Sequence, residues 1–256
     1  MKIKRIIPLS LICAISLFAI QVYNQNNNES GASANDSLSQ VSESTEQKKI
    51  VTSSDLQHFI ATLETLYKLG DKSKGYLLGG IYSQEHILED KVVSANKPLA
   101  LKYFNETLDA GYGLSAWNIA MLEFLPQNDY LKALEVLEKG LSSKLLDKDA
   151  RISLSLTYGT IVLENLNENS TAIQKARDII YPLAVNNNLA SLDYVTANLL
   201  NLNNEIEEAN KFLNSACNNP NAPKEILNAC MGGSEVVTSD QKGQIVQRDL
   251  AQCGQP

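Results

Sequence analysis

The chain has 256 residues and a formal net charge of −7, from 22 Lys and Arg against 29 Asp and Glu. Phosphate binding needs a basic surface, so this balance argues against a nucleic-acid partner. Apolar residues reach 44%, enough for a core, while aromatics stay at 6% with 13 Gly and 7 Pro, a composition that favours helices over many short strands.

Residues 1–23, MKIKRIIPLSLICAISLFAIQVY, begin with the cations Lys2, Lys4 and Arg5. Ile6 to Val22 is apolar apart from Pro8, Ser10, Ser16 and Gln21. This is the pattern of a signal peptide or an N-terminal membrane anchor. Its length is near the lower limit for a spanning helix. No Lys or Arg follows until Lys48, so the positive-inside rule leaves the rest of the chain outside the cytoplasm. The expected location is periplasmic, secreted or anchored in the inner membrane, with membrane contact only through residues 1–23 if they are retained. Cleavage stays open: Ala32–Ala34 lie far past the apolar run, and Ala14 with Ser16 leave it short. Ile12 before Cys13 is too large for a lipidation signal.

Residues 24–51 hold almost no apolar side chains and read as a disordered linker. Loss of the three leading cations would take the exported part to about −10, with acidic solvated faces.

Residues 52–230 read as five helix pairs. In the first helix Ser54 is the expected N-cap, the apolar stripe is Leu56, Phe59, Ile60, Leu63, Leu66 and Tyr67, and Gly70 ends the run. Its partner is Ser73–Gln84. Four later helices share one template: Ala at i, a bulky apolar pair at i+3 and i+4, and an apolar residue at i+8. The instances are Ala100 with Tyr103, Phe104 and Leu108; Ala133 with Val136, Leu137 and Leu141; Ala176 with Ile179, Ile180 and Ala184; and Ala209 with Phe212, Leu213 and Cys217. These positions fall on one helix face. The markers are 33, 43 and 33 residues apart, the spacing of stacked helix pairs. A small residue at i lets paired backbones approach, and the bulky pair fills the neighbour's groove. The second helices are expected at Leu114–Phe124, Asp149–Leu163, Leu189–Leu200 and Ala222–Cys230.

LLGGIY at Leu77–Tyr82 resembles the second-helix motif of Sel1-like repeats, which reads roughly A-x-Y-N-L-G-x-x-Y. AWNIAM at Ala116–Met121 is similar, with Ala120 in place of Gly, and Lys97–Gly113 resembles the family's first helix and closing Gly. The likeness covers residues 74–124, and after residue 149 only the apolar spacing is kept. The resemblance implies an all-α, right-handed solenoid of stacked antiparallel helix pairs. Tetratricopeptide repeats are the close rival, but the insertion SQEHILEDKVVSA and the 43-residue step exceed a strict 34-residue period. An irregular helical bundle is the other alternative.

Cys217, Cys230 and Cys253 follow the exported segment, and export favours disulfides. A Cys217–Cys230 bridge would staple the last helix pair, and Cys230–Cys253 would pin the tail; three cysteines leave one over. Secreted Sel1-like proteins often staple their helix pairs, although their cysteines recur in each repeat and these do not. In the tail, 231–256, Ser239 is expected to cap a short helix carrying Ile245, Val246 and Leu250, which would cover the open end of the stack.

The two histidines, His58 and His86, read as a surface residue and a loop residue, and their surroundings match no metal-ligand spacing. No P-loop, G-x-S-x-G or C-x-x-C occurs, so no cofactor and no enzymatic activity are expected. What remains is surface. Outside the template, Lys102, Asn105, Glu106, Glu135, Glu138, Arg177 and Asp178 are groove candidates, as is Asn210. Tyr112, Trp117, Tyr158, Tyr181 and Tyr194 are either binding anchors or core; Trp117 reads as core, while Tyr112 and Tyr181 stay open and join the groove candidates. The expected function is a non-enzymatic scaffold that binds a protein partner in the bacterial envelope. By resemblance and location, the alternative is a periplasmic immunity protein that neutralises a toxic effector such as a type VI secretion lipase.

Overall fold

The computed structural model describes residues 52–231 and the two strands 236–239 and 245–248. The expected signal or anchor and the linker lie outside the described residues. What is described is mostly helical, and the all-α expectation holds at that level. The chain divides between Arg151 and Ile152 into two compact units.

The first unit opens with α1, Ser53–Lys68, and α2, Ser73–Tyr82. The α1 cap is Thr52, not Ser54: Thr52 Oγ1 accepts from Asp55 N–H while the Asp55 carboxylate accepts from Thr52 N–H, a reciprocal pair that Ser54 has no acid to form. Gly70 (φ 108°) closes α1 as expected, donating to Tyr67 O while Asp71 N–H donates to Leu66 O. Only part of the expected stripe faces inward. Leu56, Leu63 and Tyr67 are buried and Ile60 packs against the cluster that holds Leu63 and Tyr67, whereas Phe59 and Leu66 are exposed.

The insertion after α2 is a two-stranded antiparallel ladder, not a plain loop. Strand β1, His86–Ile87, pairs with β2, Val92–Val93. A ring nitrogen of His86, Nε2, sits 2.8 Å from Ile81 O, which ties the ladder to α2.

Next come α3, Lys97–Asp109, and α4, Ser115–Ile119. Asn96 caps α3, and Gly111 (φ 94°) closes it with the same two-bond pattern as Gly70. The helix expected through Phe124 narrows to α4. It continues as a π-helical turn, Ala120–Phe124, and a 3₁₀ turn, Leu125–Gln127. Pro126 has no N–H to offer the carbonyl of Leu122, so the regular ladder cannot run on. Helix α5, Tyr130–Leu141, then starts at the Asp129 cap.

Helix α6, Lys148–Asn165, carries the boundary between the units. The second unit continues with α7, Ser170–Asn186; α8, Ala190–Leu202; α9, Ile206–Asn218; and α10, Lys224–Met231. Within each unit, helices pack on their sequence neighbours: α1 on α2, α2 on α3, α3 on α4 and α4 on α5, then α7 on α8, α8 on α9 and α9 on α10.

All four marker alanines are buried, three of them completely. Ala100, Phe104 and Leu108 form one cluster with Ala116 and Ile119 of the paired helix. Glycines on the second helices supply the rest of the close approach. A Cβ on Gly79 would meet the Phe104 ring at 2.7 Å, and one on Gly159 would collide with Ile180. The 43-residue step between Ala133 and Ala176 spans the division of the chain, and each 33-residue step falls within one unit.

The tail expectation is overturned. Val236–Ser239 (β3) and Ile245–Arg248 (β4) form an antiparallel pair with Thr238 opposite Val246 and Ser239 opposite Ile245. The β-branched residues Val236, Val237, Thr238, Ile245 and Val246 fit a pleated ladder better than a helix. Strand β3 lies beside α9. Leu250 and Cys253 are outside the described residues.

Candidate interaction surface

The template gives each marked helix an outward face as well as an inward one. At 3.6 residues per turn, positions i+2, i+5 and i+6 lie opposite the marker Ala. On α3 these are Lys102, Asn105 and Glu106, and on α5 they are Glu135, Glu138 and Lys139. On α7 the first two are Asp178 and Tyr181. The ten groove candidates divide between the units. Lys102, Asn105, Glu106, Tyr112, Glu135 and Glu138 belong to the first, and Arg177, Asp178, Tyr181 and the half-buried Asn210 to the second.

In the first unit, Lys102, Asn105, Glu106 and Glu135 are exposed, and Tyr112 and Glu138 are half-buried. Glu106 is not free for a partner: Tyr67 of α1 donates its hydroxyl to Glu106 Oε2. The converse bond runs from Tyr103 Oη to Glu64 Oε1 at 3.3 Å. Two tyrosine–glutamate bonds therefore cross between α1 and α3 in opposite directions. Tyr67 and Tyr103 meet edge to face at 5.5 Å, Tyr82 stacks on Tyr103 at 5.9 Å, and the Lys72 ammonium sits 4.0 Å above the Tyr67 ring. Burial first, then Glu106, pushes the Tyr67 hydroxyl well above the usual phenol range. Burial, then Glu64, pushes Tyr103 up to about 12. These phenols donate and are poor proton-transfer groups near neutrality.

Lys139 of α5 reaches Asp109 of α3 at 2.5 Å, an exposed ion pair that ties the outward faces of successive marked helices. Asn105 donates back to Leu101 O at 2.8 Å. Tyr112 lies in the α3–α4 turn, where its N–H bonds Thr107 O. Beneath it the buried hydroxyls of Thr107 and Ser115 share a 2.7 Å hydrogen bond. Trp117 is half-buried, and the amide nitrogen of its neighbour Asn118 is buried without a hydrogen-bond partner.

The second unit repeats this arrangement with other residues. Tyr181 of α7 donates to Glu208 Oε1 of α9 at 2.5 Å, and Arg177 pairs with Glu205 Oε2 at 2.8 Å. The bond to Glu208 leads in raising the Tyr181 pKa, with burial second. Tyr181 also packs edge-on to Phe212 at 5.5 Å, so it is a cross-helix brace. Asp178 accepts from Gln174 Nε2 at 2.9 Å and lies 3.6 Å from Arg177. Tyr158 is core; Tyr194 is half-buried and packs on the cluster of Ala190, Ala216, Ile226 and Cys230.

Cys217 of α9 and Cys230 of α10 are disulfide-bonded, with Cα atoms 5.8 Å apart. Of the pairings left open by the sequence, the structure takes the one that staples the last helix pair.

Two polar residues escape sequence reasoning. Asp193 is buried on α8 and accepts from Ser215 Oγ of α9 at 2.6 Å; burial raises its pKa despite that bond. Its signal was an acid inside the apolar run LASLDYVTANLL. Glu164, near the end of α6, is half-buried, and its Oε1 has no hydrogen-bond partner. Burial alone moves it up to about 7. Among the described residues, no group of three or more His, Cys, Asp or Glu side chains is placed to hold a metal ion, and no helix is long and apolar enough to cross a membrane.

No protein-family model matches the chain, and no curated protein matches its sequence.

Proposed function

We propose that this chain is an exported, non-enzymatic docking scaffold. Its helix pairs stack as a Sel1-like right-handed solenoid, and it binds a protein partner across the outward faces of its marked helices. The observation that carries the reading is the repeated division of labour on those helices. Each buries its marker Ala and at least part of the apolar template, and outward polar groups bond between first helices within each unit: Tyr67 to Glu106 and Lys139 to Asp109 in the first, Tyr181 to Glu208 in the second. Helices braced in this way within a unit form a rigid platform, which lowers the ordering cost of binding. The exposed remainder, led by Lys102 and Glu135, is charged and chemically plain, as suits recognition rather than catalysis. The Cys217–Cys230 bond is compatible with an oxidising compartment, as expected of a periplasmic or secreted protein.

The test is a photoreactive amino acid at position 102 or 135 of the full chain, in the cells that make it. One discrete cross-linked protein at these positions is expected, absent from a control at Lys144 and lost when Glu135→Lys accompanies the probe at 102. Adducts equal at all three positions, or none at 102 and 135, would reject the reading.

A further inference from the structure

The insertion between α2 and α3 lengthens the repeat without filling its core. Its ladder has two residue pairs, His86 with Val93 and Ile87 with Val92, too few to stand alone. Ile87 and Val92 stay 81% and 54% exposed, so burial is not what these two contribute. Hydrogen bonds hold the segment instead. Asn96 N–H donates to Tyr82 O at 2.7 Å and closes the base, His86 Nε2 lies 2.8 Å from Ile81 O, and Leu88 N–H donates to Lys91 O at 3.1 Å to close the tip.

The tip carries Asp90, whose carboxylate reaches the first residue of α1. It accepts from Ser53 N–H at 2.7 Å and from the Ser53 hydroxyl, across a sequence separation of 37. The start of a helix has unsatisfied N–H groups and the positive end of the dipole, so a carboxylate there is favoured twice over. The Ser53 hydroxyl, and then its N–H, hold the Asp90 carboxyl below the usual carboxylate range.

The C-terminal half of α1 is held by other bonds. Tyr67 donates to Glu106 and Tyr103 donates to Glu64, both between α1 and α3. Local opening of a helix starts at its ends, where hydrogen bonds are fewest. Each end of α1 is thus secured by a different, distant part of the chain.

We infer that the β1–β2 insertion is a strap across the N-terminal half of α1, closed by Asp90 on Ser53, and that the two halves of α1 open independently. Releasing the strap frees residues 53–60. About 12 Å of helical rise becomes about 27 Å of extended chain. It also bares Leu56, only 3% exposed when the strap is closed, beside the already exposed Phe59. None of this rests on the binding of another protein.

Hydrogen exchange of the purified full chain, read on overlapping peptic peptides, tests the strap. Asp90→Ala should speed exchange over residues 57–60 at least about threefold and leave residues 65–68 unchanged. Ser53→Ala should speed it less, because the backbone N–H remains, and should add nothing to Asp90→Ala. Tyr67→Phe keeps the ring and removes the hydroxyl, so it should speed residues 65–68 and spare residues 57–60. Glu89→Ala removes the neighbouring acid and should change neither half. The inference is overturned if Asp90→Ala leaves residues 57–60 unchanged, if Ser53→Ala adds to it, if Glu89→Ala matches it, or if both halves respond to either of the Asp90 and Tyr67 variants.

Discussion

Gly79 and Gly80 are consecutive residues of one helix, and their environments call for opposite responses to the same substitution. Alanine at either position gains about 0.5–1 kcal/mol of helix propensity. At Gly80 nothing lies within 4 Å of the new methyl, so Gly80→Ala should stabilise by about that amount. At Gly79 the methyl would sit 2.7–2.9 Å from three atoms of the Phe104 ring. That ring is fully buried and meets Tyr76 edge-on at 5.9 Å, so it has little room to move. Overpacking of this kind costs roughly 1–3 kcal/mol, which outweighs the propensity gain. Gly79→Ala should therefore destabilise by about 0.5–2 kcal/mol net. Urea denaturation followed by circular dichroism gives both values, and Gly79→Ala in a Phe104→Leu background tests the cause. Removing the ring edge should turn the alanine from harmful to neutral or better, a coupling well above simple additivity. If Gly79→Ala stabilises as much as Gly80→Ala, the close approach of α2 and α3 described above is wrong.

Glu164 should make the chain more stable at pH 5 than at pH 8. Its folded pKa is raised from 4.5 to about 7, so its contribution is complete below 4.5 and lost as pH rises through 7. Discounted for partial exposure, the effect is about 1–2 kcal/mol, and Glu164→Gln should stabilise by that amount at pH 8 and leave pH 4 nearly unchanged; an equal effect at pH 8 and pH 4 refutes the assignment. Replacing Cys217 and Cys230 by Ala opens a loop with a sequence separation of 13, costs about 3 kcal/mol, and should speed tryptic cleavage after Lys224 as α10 loosens; unchanged cleavage counts against the staple. Tyr103 is favoured in its neutral form by folding, so its contribution is full below about pH 10 and lost through about pH 12. A spectrophotometric titration should show this late phenol in the native chain and its loss in Tyr103→Phe.

The parts of the fold legible in the sequence were those in which side-chain size repeats at helical spacing. The template alanines are buried because close helix crossing excludes anything larger, and Ala100 and Ala133 could be read with no knowledge of their neighbours. Local rivals were harder to separate. Thr52 and Ser54 both suit an N-cap, and only the Asp55 carboxylate decides between them. The second helices blurred where glycine and proline intervene, as at Pro126. The tail misled because Ile245, Val246 and Leu250 also fit a helical stripe, and cross-strand pairing is not visible in one segment alone. Among the candidate surface residues, exposure was legible but partnership was not. The acceptor of Tyr67 lies 39 residues away, and that of Tyr181 lies 27 residues away.

Those long-range bonds narrow where recognition can occur. A residue committed to a neighbouring helix offers a partner little, since binding it means giving up a bond already made. Glu106 and Lys139, both at i+6, are committed, as are Tyr181 at i+5 and Arg177 beside it. The i+2 positions point outward with the fewest claims on them: Lys102 on α3 and Glu135 on α5 are both exposed, while Asp178 on α7 accepts from Gln174. Within the first unit the sign changes from Lys102 on α3 to Glu135 on α5. A partner docking on this unit, as proposed, would need charges of both signs at the spacing of α3 and α5, so overall acidity would be a poor guide to what binds.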